Sequence, residues 1–88
     1  MNANDTRQTI LAILEDTAPE IDAASVDTSA HFIEELSMDS LDFLDLVTRV
    51  YQETGVNIPE QDYGKIDNVD ALVAYVERVT HGDRRAGH

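Results

Sequence analysis

No cysteine occurs among the 88 residues. A disulfide framework, a cysteine-based zinc site and a thiol nucleophile are therefore excluded, and a reducing compartment is compatible. Positive charge is scarce. Six Lys and Arg stand against 18 Asp and Glu, for a net charge of −12. Between Arg7 and Arg49 there is no Lys or Arg, while ten acids fall in that interval. Binding to a phosphate backbone needs clustered cations, so no nucleic-acid partner is expected. Long apolar runs are missing as well. The longest, Ile10-Leu11-Ala12-Ile13-Leu14, falls far short of the ~20 residues that cross a bilayer. The polar start Met1-Asn2-Ala3-Asn4-Asp5 has no apolar segment of the signal-peptide kind. The expectation is a cytoplasmic protein with no membrane insertion. No segment alternates as a strand, and there is no repeat, low-complexity stretch or internal linker.

What is present is periodic Leu, Ile and Val interleaved with acids. Such a chain can bury one face, which argues against disorder. A hydrophobic content of 42% fills one modest core, and the length suits a single small domain. The acidic surface favours basic protein partners reached by long-range steering.

Four helical segments are predicted. The first runs from about Asp5 to Ala18, with Asp5 and Gln8 as a capping pair, Ile10, Leu11 and Leu14 as an apolar stripe, and Pro19 opposing continuation. A loop from about Pro19 to Met38 follows, pinned by Ile21, Val26, Phe32, Ile33 and Leu36. Its length argues for a short helical turn near Phe32 to Leu36. The second helix is predicted from Ser40 to about Thr54, capped by Asp39, with Asp42 in its first turn and Gly55 as its stop. Val56-Asn57-Ile58-Pro59 reads as a connector, and Glu60 to Lys65 as a short third helix. Asp67 or Asn68 caps a fourth helix bearing Val69, Leu72, Val73, Val76 and Val79 on its apolar face. The segment 81–88 has no apolar residue larger than alanine and is expected to be mobile. The fold class is all-α: an antiparallel four-helix bundle, three helices longer and one short, with a long loop between the first and second.

Ser40 stands where the second helix begins. At about 100° per residue, Phe43, Leu44, Leu46, Val47, Val50 and Tyr51 gather on one broad arc. Asp42, Asp45, Thr48, Arg49 and Gln52 take the other side, and Leu41 falls among them beside Ser40. An exposed leucine amid carboxylates is a candidate docking contact. An anion attached at Ser40 would gain about 0.3–1 kcal/mol from the helix N-terminus. Asp39 opposes it by like-charge repulsion, so Asp39 reads as a cap and a recognition group. Taken alone, Ser40 reads as a plain first-turn serine, since a three-residue Asp-Ser-Leu match is common by chance.

The surrounding registers carry more. Phe32-Ile33-Glu34-Glu35-Leu36-Ser37-Met38-Asp39-Ser40-Leu41-Asp42, then Thr54-Gly55-Val56-Asn57-Ile58-Pro59, then Lys65-Ile66-Asp67-Asn68-Val69 and Leu72-Val73-Ala74-Tyr75-Val76, together resemble the acyl carrier protein family over about residues 5 to 80. The resemblance implies a carrier domain over residues 1–80 that is not an enzyme. It implies that Ser40 carries 4'-phosphopantetheine, taken from coenzyme A by a phosphopantetheinyl transferase that uses a divalent metal. The arm's thiol then holds acyl groups as thioesters for fatty-acid, polyketide or related biosynthetic enzymes. Asp39, Leu41, Asp42, Asp45, Glu34 and Glu35 would meet the basic surfaces of the transferase and of acyl-loading and acyl-processing enzymes. Phe43, Leu46, Val47 and Val50 would line an acyl pocket. A freestanding, monomeric carrier is expected; an unmodified acidic interaction module of the same fold is the alternative.

Two positions depart from the family pattern. Ser37 stands where glycine is usual, and serine reaches positive φ only at a cost. Phe43 stands where fatty-acid carriers often have a smaller residue, and it points toward the predicted core. Both favour weighing a specialised carrier of a short, branched or aromatic group equally with a fatty-acid role. Other chemistries fail on spacing. Asp39, Asp42 and Asp45 are three apart, as on a helix, and do not alternate as in a calcium loop. Ser40 lacks a Gly-x-Ser-x-Gly elbow. His31, His81 and His88 have neither catalytic nor zinc spacing, and His31 reads as a loop histidine responsive to pH.

Overall fold

The computed structural model describes the backbone of residues 3–86 and the side chains of residues 4–80. Helix α1 spans Ala3–Thr17, α2 spans Ser40–Thr54, a short 3₁₀ helix spans Glu60–Lys65, and α3 spans Val69–Ala86. No strand occurs among the described residues. The architecture is the expected all-α antiparallel bundle, three longer helices and one short, with the long loop between α1 and α2. No described helix is long and apolar enough to cross a membrane.

Helix α1 buries Ile10, Ile13 and Leu14, residues three and four apart that share one face. It begins earlier than predicted. Asp5 therefore lies inside the first turn and does not cap the helix; there its carboxylate still faces the positive end of the helix dipole. Across α1, Arg7 Nη1 donates to Asp70 Oδ1 at 2.8 Å and the Thr6 hydroxyl donates to Glu77 Oε2 at 2.6 Å, so α1 is tied to α3 by polar bonds as well as by the core.

The loop after α1 is ordered by its own short side chains. Asp22 accepts from the Ala24 amide at 3.0 Å and Asp27 from the Ser29 amide at 2.9 Å, both Asx turns. Ala18, Ile21, Ala30, Phe32 and Met38 sink into the core, with Val26 and Leu36 half-buried. Ile33, expected among these anchors, is 45% exposed. The expected helical turn near Phe32 is a single hydrogen-bonded turn: the Glu35 and Leu36 amides both donate to the His31 carbonyl, at 2.9 and 3.0 Å.

Helix α2 starts and stops where the sequence places it. Its apolar arc is narrower than predicted: Phe43, Leu46, Val47 and Val50 are buried, but Leu44 and Tyr51 lie at the arc's margins and are about half exposed. Gly55 ends the helix at φ 79, its amide returning to the Tyr51 carbonyl. Val56, Ile58 and Ile66 then anchor the chain on either side of the 3₁₀ helix. Asn68, not Asp67, caps α3, its Oδ1 accepting from the Ala71 amide at 2.7 Å. Val69, Leu72, Val73, Tyr75 and Val76 complete the core. Helix α3 runs on to Ala86, into the segment 81–88 expected to be a mobile tail, and residues 87–88 lie outside the described residues.

Two features here are open to measurement. Ser37 has φ 62, a left-handed backbone that costs a side-chain-bearing residue about 1–2 kcal/mol. Glycine would relieve this while returning roughly 0.4–1 kcal/mol through its freer unfolded chain. Ser37→Gly is therefore expected to stabilise by about 0.5 kcal/mol, read as a higher urea midpoint at unchanged slope; a lower midpoint contradicts the strain. The second feature is the Tyr75 hydroxyl, which donates to Asp62 Oδ2 at 2.7 Å and fixes the 3₁₀ helix to α3. That bond, with Lys65 beside it, holds the Asp62 carboxyl below its ordinary range and lifts the Tyr75 phenol above its own. The depressed carboxylate stabilises above its unfolded pKa, about 3.9, and this is lost as pH falls through the folded value. The raised phenol stabilises below about 10, and this is lost as pH rises through its folded value. The gap in melting temperature between parent and Tyr75→Phe should therefore be widest across neutral pH and close at both extremes.

Candidate functional site

The start of α2 is held by a reciprocal cap. Asp39 is extended (φ −93, ψ 178), its Oδ1 accepts from the Asp42 amide at 2.8 Å, and Asp42 Oδ2 lies 3.5 Å from the Asp39 amide. Directly before it, Met38 is buried and its amide donates to the Phe32 carbonyl at 3.0 Å. Three residues after Ser40, Phe43 is buried. Ser40 thus sits between two core anchors at the first helical position, with its side chain exposed. The first-turn amides lie outside the intrahelical ladder and point toward this end.

Ser40 opens on a groove of about 400 Å³ between the loop, α2 and the 3₁₀ helix. Its walls include Phe32, Ile33, Phe43, Leu44 and Tyr63, and its rim carries Glu60 and Asp67. Phe43 lies edge-on to Tyr63, ring centres 5.4 Å apart at 77°, and tilted against Phe32 at 6.1 Å. Of the four residues predicted to line a pocket, only Phe43 borders this groove. Leu46, Val47 and Val50 belong to the core behind it.

His31 also borders the groove. Its Nδ1 accepts from the Ile33 and Glu34 amides, each at 3.2 Å, which assigns the remaining ring proton to Nε2 in the neutral form. Nε2 faces Glu34 at 3.5 Å and Asp67 at 3.8 Å. His31 is thus the hub of the turn that precedes the serine.

The acids expected on the outer face divide by task. Leu41 is 75% exposed, and Glu34 is exposed beside His31. Asp39 and Asp42 serve the cap. Glu35 Oε1 accepts from the His31 amide at 3.2 Å. Asp45 pairs with Arg49 at 3.2 Å, and the same guanidinium reaches Asp16 on α1. Asp16, then Asp45, raise the Arg49 pKa further above its already high value. No cluster of three metal-ligating side chains occurs among the described residues.

Sequence reading missed Tyr63, Glu60 and Asp67 as groove residues, and the exposure of Ile33 and Leu44. It also missed that Arg49 partly neutralises the face. The Asp45–Arg49 spacing of four residues was a usable signal for that last pair. No local pattern marked Tyr63, whose ring meets Phe43 only through the fold.

A family model described as the phosphopantetheine attachment site matches residues 8–76. The chain belongs to the acyl carrier protein family. An acyl carrier protein of Helicobacter hepaticus is 34% identical over 73 residues, 83% of this chain and 95% of that relative. One of Helicobacter pylori is 40% identical over 57 residues, 65% and 73% respectively. One of Solidesulfovibrio magneticus is 34% identical over 58 residues, 66% and 74%. The prosthetic group of this acyl carrier is a covalently attached 4'-phosphopantetheine. An exposed serine hydroxyl at a capped helix N-terminus, opening on an apolar groove, fits such an attachment. Family members carry cargo for other proteins and do not themselves turn it over.

The cap generates its own test. Asp39→Ala should destabilise this carrier by about 1 kcal/mol, within the 0.5–2 kcal/mol usual for a lost N-cap. Asp39→Asn should keep most of that stability, because its side-chain oxygen still accepts from the Asp42 amide. Equal thermal midpoints for Asp39→Ala and parent would rule out the cap.

Proposed function

We propose that Ser40 is the attachment residue, and that the chain presents acyl groups tethered there to biosynthetic enzymes. The observation that carries this reading is the exposed Ser40 hydroxyl at the first position of α2, between Asp39 and Leu41 and beside the groove. In the loading step the Ser40 Oγ attacks the phosphorus of coenzyme A that bears the pantetheine arm. A new P–O bond forms, the pyrophosphate bond breaks, adenosine 3',5'-bisphosphate leaves, and the serine proton passes to a base of the transferase. Once attached, the arm supplies a thiol that holds acyl groups as thioesters. The residues of this chain do the rest. Asp39 keeps the helix start rigid, the first-turn amides would favour an anion attached at Ser40, and buried Met38 and Phe43 hold Ser40 in place.

Residues 1–80 constitute the carrier domain in this reading. Its partners are a phosphopantetheinyl transferase and enzymes with basic docking surfaces. Leu41 is the apolar contact, and Glu34, Glu35, Asp39, Asp42 and Asp45 supply the field that steers partners in. A cytoplasmic location goes with coenzyme A as the donor. The aromatic filling at Phe43 and Tyr63 supports service in specialised metabolism, such as polyketide assembly, over housekeeping fatty-acid synthesis.

Coexpression with a broad-specificity transferase should add the mass of one phosphopantetheinyl group, and Ser40→Ala should abolish the addition with the helical spectrum unchanged. Modification found at Ser37, or persisting in Ser40→Ala, overturns the assignment. For docking, Asp45→Lys is the cleaner charge reversal, because Asp42 also serves the cap. It should slow modification through association, by up to roughly 10-fold at low salt. Added salt should slow the parent more than this variant, as screening shortens the Debye length to about 8 Å at physiological strength. Leu41→Ala should weaken docking with little salt dependence. Identical low-salt rates for parent and Asp45→Lys would remove Asp45 from the recognised face.

A further inference from the structure

The groove beside Ser40 has a composition that selects among acyl groups. Three rings form it or close it: Phe43 stands between Phe32 and Tyr63, in contact with both. Behind Phe43 the space is already full, since Phe32, Leu46 and Val50 are wholly buried in one cluster. A long flexible chain could enter the core only by displacing the buried Phe43 ring, and a close-packed interior resists that. What remains open is the trough itself, bounded by ring edges and faces and by Ile33 and Leu44. Among the described residues that line it, the carboxylates are Glu60 and Asp67, the one imidazole is His31, already turned toward Glu34 and Asp67, and no Lys or Arg occurs. A cargo bearing its own carboxylate would meet like charge at the rim. A flat neutral group can instead offer its edge or face to Tyr63 and Phe43, the geometry aromatic pairs prefer.

On the reading that Ser40 bears the arm, we propose that the cargo this carrier shelters is a compact neutral acyl group, an aryl group above all. Long linear chains and carboxylated acyl groups stay in solvent. Selection operates at Tyr63 and Phe43: the two rings both close the way into the core and supply the surface on which an aryl group stacks. Ile33 and Leu44, exposed in the unloaded protein, become the side walls against which that ring rests.

The test loads Ser40 directly from benzoyl-, dodecanoyl-, malonyl- and β-alanyl-coenzyme A with a transferase. It then compares thioester cleavage by hydroxylamine with that of the matching free acyl-pantetheines. Benzoyl cargo should be protected about threefold to tenfold, the range that ring contacts of this strength support. The Ile33 and Leu44 methyl resonances should shift on benzoylation alone. Dodecanoyl and malonyl cargo should cleave at the rates of their free counterparts, and β-alanyl cargo, whose ammonium can meet Glu60 and Asp67 but which has no ring to stack, should gain less protection than benzoyl. Tyr63→Ala removes a half-buried ring, which spares the fold better than a change at Phe43. It should abolish benzoyl protection and permit dodecanoyl protection, with the amide spectrum of the unloaded protein otherwise retained. Protection of dodecanoyl or β-alanyl cargo in the parent equal to that of benzoyl, or benzoyl protection unaltered in Tyr63→Ala, overturns the proposal. Failure to load Ser40 at all, seen by mass, overturns the attachment reading and this proposal together. Loading without discrimination overturns this proposal alone.

Discussion

The Phe32 amide donates to the Asp67 carbonyl at 2.8 Å, and the Asp70 amide donates to the Thr28 carbonyl at 3.0 Å. These two backbone bonds join the middle of the long loop to the start of α3, residues far apart in sequence. The geometry around Ser40 depends on that junction. It sets the Phe32 ring in the core, and the Phe32 carbonyl then receives the Met38 amide, which brings the chain to the Asp39 cap. It also lays His31 against Asp67 and so forms one wall of the groove. A loop of this length would cost closure entropy with nothing in return if its polar backbone were left to solvent. Here that backbone is fastened to the start of α3, where the Thr28 carbonyl takes the Asp70 amide and the Asn68 cap takes that of Ala71.

The acidic excess looks from composition like a uniform solvated coat. In the fold many carboxylates have assigned partners. Asp22, Asp27, Asp39 and Asp42 close turns or caps, Asp62 holds Tyr75, Asp70 holds Arg7, and Asp16 with Asp45 share Arg49. Two of the scarce cations join elements: Arg7 joins α1 to α3 and Arg49 joins α1 to α2. Exposed pairs of this kind contribute little each, yet they decide where the negative field is compensated and where it is not. Glu34, exposed beside His31, is one of the places where no Lys or Arg among the described residues compensates the field.

Where local rules decided the outcome, the sequence was enough. Asp39, Asp42 and Gly55 mark both ends of α2 by cap chemistry, and the spacing of Val69, Leu72, Val73 and Val76 gives α3 its buried face. Ser37 was legible too, because a residue standing in a glycine's place invites the question of its φ. Other features had no local signature. Asp5 could cap or sit in a first turn, and only the earlier start of α1 decides. Ile33 and Phe32 are adjacent and both apolar; which one turns inward is set by the bond to Asp67. Leu44 and Tyr51 lie at the edge of the apolar arc, where the width of the neighbouring helices determines exposure. The sequence points to an internal pocket lined by Phe43, Leu46, Val47 and Val50 because the four share a face. The groove's far wall comes from Tyr63, some twenty residues on, and no periodicity links the two.

The edge-on contact of Tyr63 with Phe43 has an optical consequence. The chain has no tryptophan and three tyrosines, so its near-ultraviolet emission comes from phenols alone. Tyr51 lies open to solvent, and Tyr75 is bonded to the Asp62 carboxylate, an arrangement that quenches a phenol. Tyr63 is the phenol that lines the groove. The protein therefore carries a chromophore in the wall of the groove, readable without a label against the emission of Tyr51.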